Sequence, residues 1–554
     1  MEPVTDRWRA PFVWCEAGRV PRRRGARRVF FSPRRLPRRA ARVYHVVRAA
    51  RRAAAIVEGT VVQDQRDNAG EKDAAGEKDV APSPDAAGQA DGASGQEDAA
   101  KRKYRQMTQS PVHRLVLSLA WPSIVSNLVT TLYNLADTFF IGRISTSASG
   151  AIGVAFVVMT LIQAAGFYFG QGTGNAMSRY LGRRDQRMAD TMASIGVTAA
   201  FCTGLAIAVV GHLLLEPICI LAGSTRTILP YAKTYIGLIL IGAPWMCAAL
   251  TLNMQLRFEG ESAYAMVAFV SGAVLNFGLA PLFIFVLGMG IAGAGLATIT
   301  CQFLSFVLLL VGMQRSHVAH LSLGALAVGR DLAREINNGG LPSLARQLVS
   351  GFAITVLNNA ARPYGDAAIA AIAIVQRVVS FGNYIQIGIG QGFQPVCGYN
   401  YGAGRYDRVR EAMRFARKAA FGVVACVCVL TFACAGQIVS LFRDDPEVIR
   451  IATVTLRFQS VTLPLTGIAM ITNFALQTTG RMWRATFLGL CRLGLALAPV
   501  VAILSRVLGL AGVECAQSVA DVITVLVAIP MALQLERELR QREADSRARS
   551  TAAR

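Results

Sequence analysis

Charge is scarce in this chain. Of its 554 residues only 16% are charged and 53% are hydrophobic, whereas a soluble chain carries about a quarter charged residues. A soluble globular fold is therefore excluded for most of the length. Acidic groups are the scarcest, with 34 Asp and Glu against 57 Lys and Arg. Catalytic signatures are missing as well. The absence of HExxH, a Walker lysine motif and GxSxG removes the commonest marks of membrane proteases, ATP-driven pumps and esterases. A membrane enzyme would also need catalytic groups clustered near one interface, and none are found, so no enzyme is expected. The 11 cysteines include no CxxC pair, which leaves zinc knuckles and disulfide frameworks unsupported. Cys202, Cys247, Cys301, Cys426, Cys428, Cys434 and Cys491 lie in apolar stretches, where cysteine serves as a small packing residue. His317 and His320 lack a third ligand nearby, so they read as solvated and no metal or cofactor is expected. Gly288 to Gly293 spells the dinucleotide fingerprint but joins two apolar segments, not a strand and a helix, so the match is spurious.

Long apolar runs are what the chain does have. About twelve are long enough to cross roughly 30 Å of hydrocarbon as helices. The first half supplies Leu115–Ile141, Ala148–Gly172, Ala193–Leu215, Ala232–Asn253, Ala263–Leu287 and Ile291–Met313. The second supplies Leu341–Ala361, Ala367–Ile389, Ala419–Phe442, Ile451–Thr472, Ala485–Leu504 and Val513–Ala532. A transmembrane barrel would instead show short alternating segments. The expected fold is an all-α membrane protein of about twelve spans.

The two halves repeat one pattern. Pro122 and Pro342 are 220 residues apart, and the same offset relates Gly170-Gln-Gly172 to Gly390-Gln-Gly392 and Gly182 to Gly402. It also relates Leu256-Arg-Phe-Glu-Gly260 to Leu476-Gln-Thr-Thr-Gly480. Duplication on this scale in an apolar chain points to two six-helix lobes around a central site, the geometry of a secondary transporter. Six spans per half is an even number, so the repeats enter the bilayer in parallel.

The net charge of +23 suggests nucleic acid until its location is considered. Basic residues fill alternate loops, as at Arg179–Arg187 and Arg405–Lys418, while Gly142–Ser147 and Phe442–Glu447 carry few. By the positive-inside rule both termini and the basic loops are cytoplasmic in a multi-pass plasma (inner) membrane protein, with lipid rather than nucleic acid as its surroundings. Residues 107–330 are assigned to an N-lobe, 331–540 to a C-lobe and 541–554 to a basic cytoplasmic tail. Residues 1–106 are arginine-rich, then polar with the tandem Gly70-Glu-Lys-Asp73 and Gly76-Glu-Lys-Asp79, a composition expected to be disordered. Two readings stand for this extension: electrostatic docking on anionic lipid or nucleic acid, or a coding start at Met107.

Asp137 is the leading functional candidate. It lies deep in the first apolar run, where a carboxylate costs at least about 2.5–3.5 kcal/mol on insertion scales. Desolvation disfavours its charged form, which suits a group that exchanges a proton for a cation. Tyr133, one turn earlier, shares its helix face. The bland alternative is an aspartate that reaches headgroup water beyond Gly142. Pro122 and Pro342 read either as hinges or as benign first-turn prolines. Arg377 and Arg492 are expected to snorkel to the cytoplasmic surface. Glu514 and Asp521 complete the intramembrane charges, with Asp521 and Arg492 as possible secondary charge sites.

The motifs Leu119-Ala-Trp-Pro-Ser-Ile-Val-Ser-Asn127, Leu132-Tyr-Asn-Leu-Ala-Asp137, Leu256-Arg-Phe-Glu-Gly260, Gly390-Gln-Gly-Phe-Gln-Pro395 and Gly398-Tyr-Asn-Tyr-Gly-Ala403 resemble the multidrug and toxic compound extrusion (MATE) family, on its DinF-like and MepA-like branch. Arg492, Pro499 and Asp521 also fall where such proteins have Arg, Pro and Asp. The resemblance spans about Thr108 to Glu536. It implies twelve helices in two lobes, alternating access, and export driven by H+ or Na+. It further implies an ion-coupling network of Tyr133, Asp137, Asn276 and Thr298. The family's fifth-helix Asp is absent, because the stretch reads Asn276-Phe-Gly-Leu-Ala280-Pro281. The seventh and tenth apolar runs contain no Asp or Glu either. Fewer hard oxygen ligands favour protons over sodium. The expected protein is a monomeric proton-coupled antiporter of organic cations or other amphipathic small molecules. The alternatives are a lipid-linked or polar metabolite carrier of the wider flippase superfamily and Na+-coupled export.

Overall fold

The computed structural model describes residues 100–552 apart from 317, 319, 320 and 322–328. His317, His320 and the extension before residue 100 thus lie outside the described residues. Every regular element among those described is helical, as low-dielectric surroundings require of an unclosed chain. Twelve helices are long and apolar enough to span a membrane. We number them α1 (Val112–Gly142), α2 (Ser147–Gly182), α3 (Gln186–Leu213), α4 (Leu229–Glu259), α5 (Ser262–Val286) and α6 (Gly290–Arg315). The second set is α7 (Arg330–Tyr364), α8 (Asp366–Gly402), α9 (Tyr406–Ala433), α10 (Pro446–Thr478), α11 (Met482–Leu508) and α12 (Leu510–Ala552).

The duplication seen in the sequence is also a duplication of packing. In the first half α4 packs on α2, α3 and α6, while α5 packs on α1 and α6. In the second half α10 packs on α8, α9 and α12, while α11 packs on α7 and α12. α4 and α10 are the hubs: 72% and 61% of their apolar windows are buried, against 22–44% for the other spans. Each hub carries an internal proline, Pro244 and Pro464. Each also ends on a glycine with positive φ, Gly260 (φ 93°) and Gly480 (φ 78°), the left-handed stop that glycine adopts without Cβ strain. Just before that stop, Asn253 Nδ2 donates to Ala265 O at 3.0 Å and Asn473 Nδ2 to Ala485 O at 2.6 Å. Each bond closes a hub helix onto the helix that follows it. Short helices at Leu215–Leu221 and Ala435–Ser440 occupy matching places in the two lobes.

The lobes touch near one end, the end that carries the basic loops. Gly388 and Gly392 of α8 lie against Ile124 and Ala120 of α1, and Gly339 and Gly340 of α7 lie against Gln171 and Tyr168 of α2. Small residues let helix backbones approach closely where no hydrophobic force acts between them. One backbone-to-backbone contact is reciprocal: Gly182 abuts the backbone of Tyr399, and Gly402 abuts the backbone of Arg179. Polar ties accompany it. Gln394 Nε2 donates to Gln171 Oε1 at 2.9 Å, Thr478 Oγ1 to Asn175 Oδ1 at 2.7 Å and Arg179 Nη1 to Thr478 O at 2.8 Å. Arg179 also pairs with Glu335.

Helix begins before residue 106, where the expected disorder was to end. Residues 100–109 form a helix bound to the first lobe, since Lys103 Nζ donates to Gly260 O at 3.1 Å and to Glu261 Oε1 at 2.7 Å. At the other end, residues 541–552 continue α12 as helix. The stretch leading into them is tied down: Glu536 pairs with Arg417, Glu538 with Arg481 and Arg484, and, within the segment, Glu543 with Arg410.

Candidate functional site

Asp137 stands five residues before the end of α1, at the end of the lobe remote from the basic loops. Its side chain is only 8% exposed, so it does not reach outward to water as the bland reading would have it. Four helices of the first lobe place groups around it. Tyr235 of α4 donates from Oη to Asp137 Oδ2 at 3.3 Å. Asp137 Oδ1 is buried without a hydrogen-bond partner, and so is Asn276 Nδ2 of α5. The Tyr133 hydroxyl faces Thr298 of α6 and Asn276, and the Tyr235 hydroxyl faces Thr298 as well as Asp137. Tyr133, Asp137, Asn276 and Thr298 are therefore brought together as the sequence suggested.

Tyr235 was missed, because one tyrosine in an apolar run is indistinguishable from packing. Ala280, fully buried one turn after Asn276, leaves Asp137 as the cluster's one carboxylate among the described residues. Buried polar atoms ordinarily have partners, and an orphaned one calls for a functional account. Here an unsatisfied carboxylate oxygen and an unsatisfied amide N–H lie in one cluster. When protonated, Asp137 becomes a donor with acceptor capacity to spare.

The second lobe answers with a closed ion pair. Arg492 Nε donates to Asp521 Oδ1 at 2.8 Å, Arg492 Nη2 to Asp521 Oδ2 at 3.5 Å, and Arg492 Nη1 to Asn383 Oδ1 at 3.2 Å. Gln517 Nε2 adds a bond to Asp521 Oδ1 at 3.0 Å. The expectation that Arg492 snorkels is thus corrected: a buried carboxylate on the neighbouring helix captures it. Arg377 does not snorkel to the basic end either, since 25 residues of α8 separate it from Gly402, about 37 Å of helix. It is exposed on the side of α8 that bears Gly388, three turns away. Glu514 is buried in α12.

Pro122 lies ten residues into α1 and Pro342 twelve residues into α7, so the first-turn reading fails for both. Each interrupts the i→i−4 ladder inside a helix, next to the residues that touch the other lobe. A further tie that the sequence did not signal runs between the lobes. Arg257 of α4 donates to Gln391 Oε1 of α8 and, at 3.1 Å, to Ser126 Oγ of α1, while Asn127 Nδ2 donates to Gln391 Oε1 at 3.3 Å.

Comparison with known proteins agrees with this architecture. The family model described as MatE matches the chain twice, over residues 122–282 and 342–503. The multidrug export protein MepA of Staphylococcus aureus (strain MSSA476) is 26% identical over 424 residues, covering 76% of this chain and 93% of that protein. MepA of Staphylococcus haemolyticus (strain JCSC1435) is 25% identical over 434 residues, covering 78% and 95%. Among solved structures, an outward-facing multidrug resistance MATE family transporter of the MOP superfamily superposes with a TM-score of 0.75 at 25% identity, covering 79% of this chain and 98% of that one. A MOP superfamily transporter from Pyrococcus furiosus gives 0.75 at 25% identity, covering 78% and 98%. The two matched copies span more than half of the chain, and the protein belongs to the MatE family of membrane transporters.

Proposed function

We propose that this protein is a secondary active exporter that expels amphipathic or cationic small molecules in exchange for protons. Asp137 carries the reading: a buried carboxylate with one oxygen held by Tyr235 and the other unsatisfied. Such a group can take up and release a proton without rearranging its neighbours, since Tyr235 holds one oxygen and the other is free to carry the proton. The multidrug export function of the staphylococcal relatives supports the direction of transport and the substrate class. Protons are preferred to sodium because Ala280 withholds the second carboxylate, and a hard cation needs several oxygen ligands. Residues 107–330 and 331–540 act as the two lobes of one monomer, with both termini cytoplasmic. In that orientation the contacts at the basic end close the cytoplasmic side, and Pro122 and Pro342 are the hinges that let the lobes part there.

The test is transport in everted vesicles, with sidedness fixed by impermeant labelling of Gly404→Cys. Asp137→Asn mimics the permanently protonated state. The variant is expected to fold and to bind substrate, while a pH gradient no longer drives accumulation. Full gradient-driven transport per folded molecule by Asp137→Asn would refute the proposal.

A further inference from the structure

The duplication supplies an internal control for a second arginine. Ser126 of α1 corresponds to Arg346 of α7, and Arg257 of α4 to Gln477 of α10, each 220 residues apart. Both lobes thus place one guanidinium between the same two helices, but on opposite members of the pair, buried at Arg257 and half-buried at Arg346. In the first lobe Arg257 is held by Gln391 and Ser126. In the second lobe Arg346 Nη2 reaches only Ser343 Oγ, at 3.4 Å on its own helix, and Nη1 is buried with no partner. The ring of Phe474 lies 5.4 Å from the guanidinium carbon. No carboxylate pairs with Arg346 among the described residues.

Arg346 opens onto a half-enclosed cavity of about 50 Å³ between α7, α10, α11 and α12. Arg492 lines it too, with Thr466, Asn473, Met470 and Leu488, and no acidic side chain does. Asp521 balances Arg492, so the charge of Arg346 remains. A cavity needs roughly 10–15 Å³ to hold one water, so this one admits a few waters or a single carboxylate or phosphate head. A guanidinium answers such a head with two parallel N–H donors. A cationic head would meet the uncompensated Arg346 and no acidic side chain in the lining.

We propose that this cavity is a subsite for the anionic head of an amphipathic molecule, with Arg346 as its pairing group. The proposal rests on the transporter reading only for its purpose, since binding at the cavity needs no ion gradient. A free amphiphilic carboxylate and a lipid phosphate share this head-group chemistry, and the experiment separates them.

Fluorescence anisotropy of the purified full-length protein in detergent compares two xanthene dyes, anionic fluorescein and cationic rhodamine 6G. Wild type should bind fluorescein, Arg346→Gln at least tenfold more weakly, and Arg346→Lys with an intermediate loss, because charge remains without the fork. Rhodamine affinity should change less than twofold in both variants. Repeating the titration in nanodiscs identifies the occupant. Competition by phosphatidylglycerol but not phosphatidylcholine assigns the cavity to a lipid phosphate, and equal fluorescein binding in both lipids assigns it to free amphiphiles. Wild-type-like fluorescein binding by either variant, or parallel loss of both dyes, overturns the subsite. Because no gradient is applied, loss of this proposal leaves the Asp137 reading standing, and the reverse also holds.

Discussion

Substitution of Gly402 by alanine puts the closure of the basic end to a quantitative test. A Cβ there would meet the carbonyl oxygen of Arg179, with Arg179 C at 3.0 Å and Gly182 Cα at 3.1 Å. All three neighbours are backbone, so no side chain can swing aside and the helices must separate. Overpacking of this kind costs about 1–3 kcal/mol. The cost falls on the state in which the lobes touch here and vanishes in a state where they part. A penalty of about 2 kcal/mol moves that equilibrium roughly 30-fold.

Spin labels on Arg183→Cys and Asp407→Cys, either side of the contact, report it by pulsed EPR. In Gly402→Ala the short-distance population should shrink in favour of a longer one, with transport slowed accordingly. The contact is reciprocal, so Gly182→Ala, whose Cβ would lie 2.9 Å from Tyr399 C and Cα, should give a similar redistribution. Gly153→Ala and Gly422→Ala have nothing within 4 Å of the added atom and serve as silent controls. An unchanged distance distribution in well-folded Gly402→Ala would show that this contact does not set the balance between states.

Two further outcomes follow from the charged groups. Asp521→Asn should lower thermal stability by about 1.5–3 kcal/mol, because it takes the charged partner from the part-buried Arg492, whereas the double change Arg492→Met with Asp521→Leu should cost less; a thermal melt in detergent compares them, and equal losses would argue against the pair. Ala280→Asp places a second acid near Asp137, so the pH profile of transport in everted vesicles should change as the two carboxylates titrate together, and an unaltered profile from folded protein would mean that the positions do not interact.

The spans were legible because hydrophobic runs of membrane length leave few alternatives, and the repeat at 220 residues gave the lobes. What hydropathy hid was the length of the helices. α2 continues to Gly182 and α8 to Gly402, past the expected ends at Gly172 and Ile389. Their last turns are polar and glycine-rich because they pack on the other lobe rather than on lipid. Family resemblance located Tyr133, Asp137, Asn276 and Thr298, yet Tyr235 and Arg346 stayed hidden. A single polar side chain in an apolar run declares its role only when its neighbours from distant helices are known. The same limit hid the capture of Arg492 by Asp521, which lie 29 residues apart on different helices.

The charge clamps at the basic end of the second lobe make the two halves mechanically unequal. Arg410, Arg417, Arg481 and Arg484 fasten α9 and α11 to the last turns of α12 through Glu536, Glu538 and Glu543. In the first lobe Lys103–Glu261 joins the helix at residues 100–109 to the start of α5. Part-shielded pairs that form a network contribute more to stability than an isolated exposed pair. If the lobes part at this end as proposed, the second lobe would move with α9, α11 and α12 held together by these pairs, while the proposed coupling residue Asp137 sits in the other lobe. On the proposed reading, the lobe that takes up the ion and the lobe clamped at its basic end would be different halves of one duplicated fold.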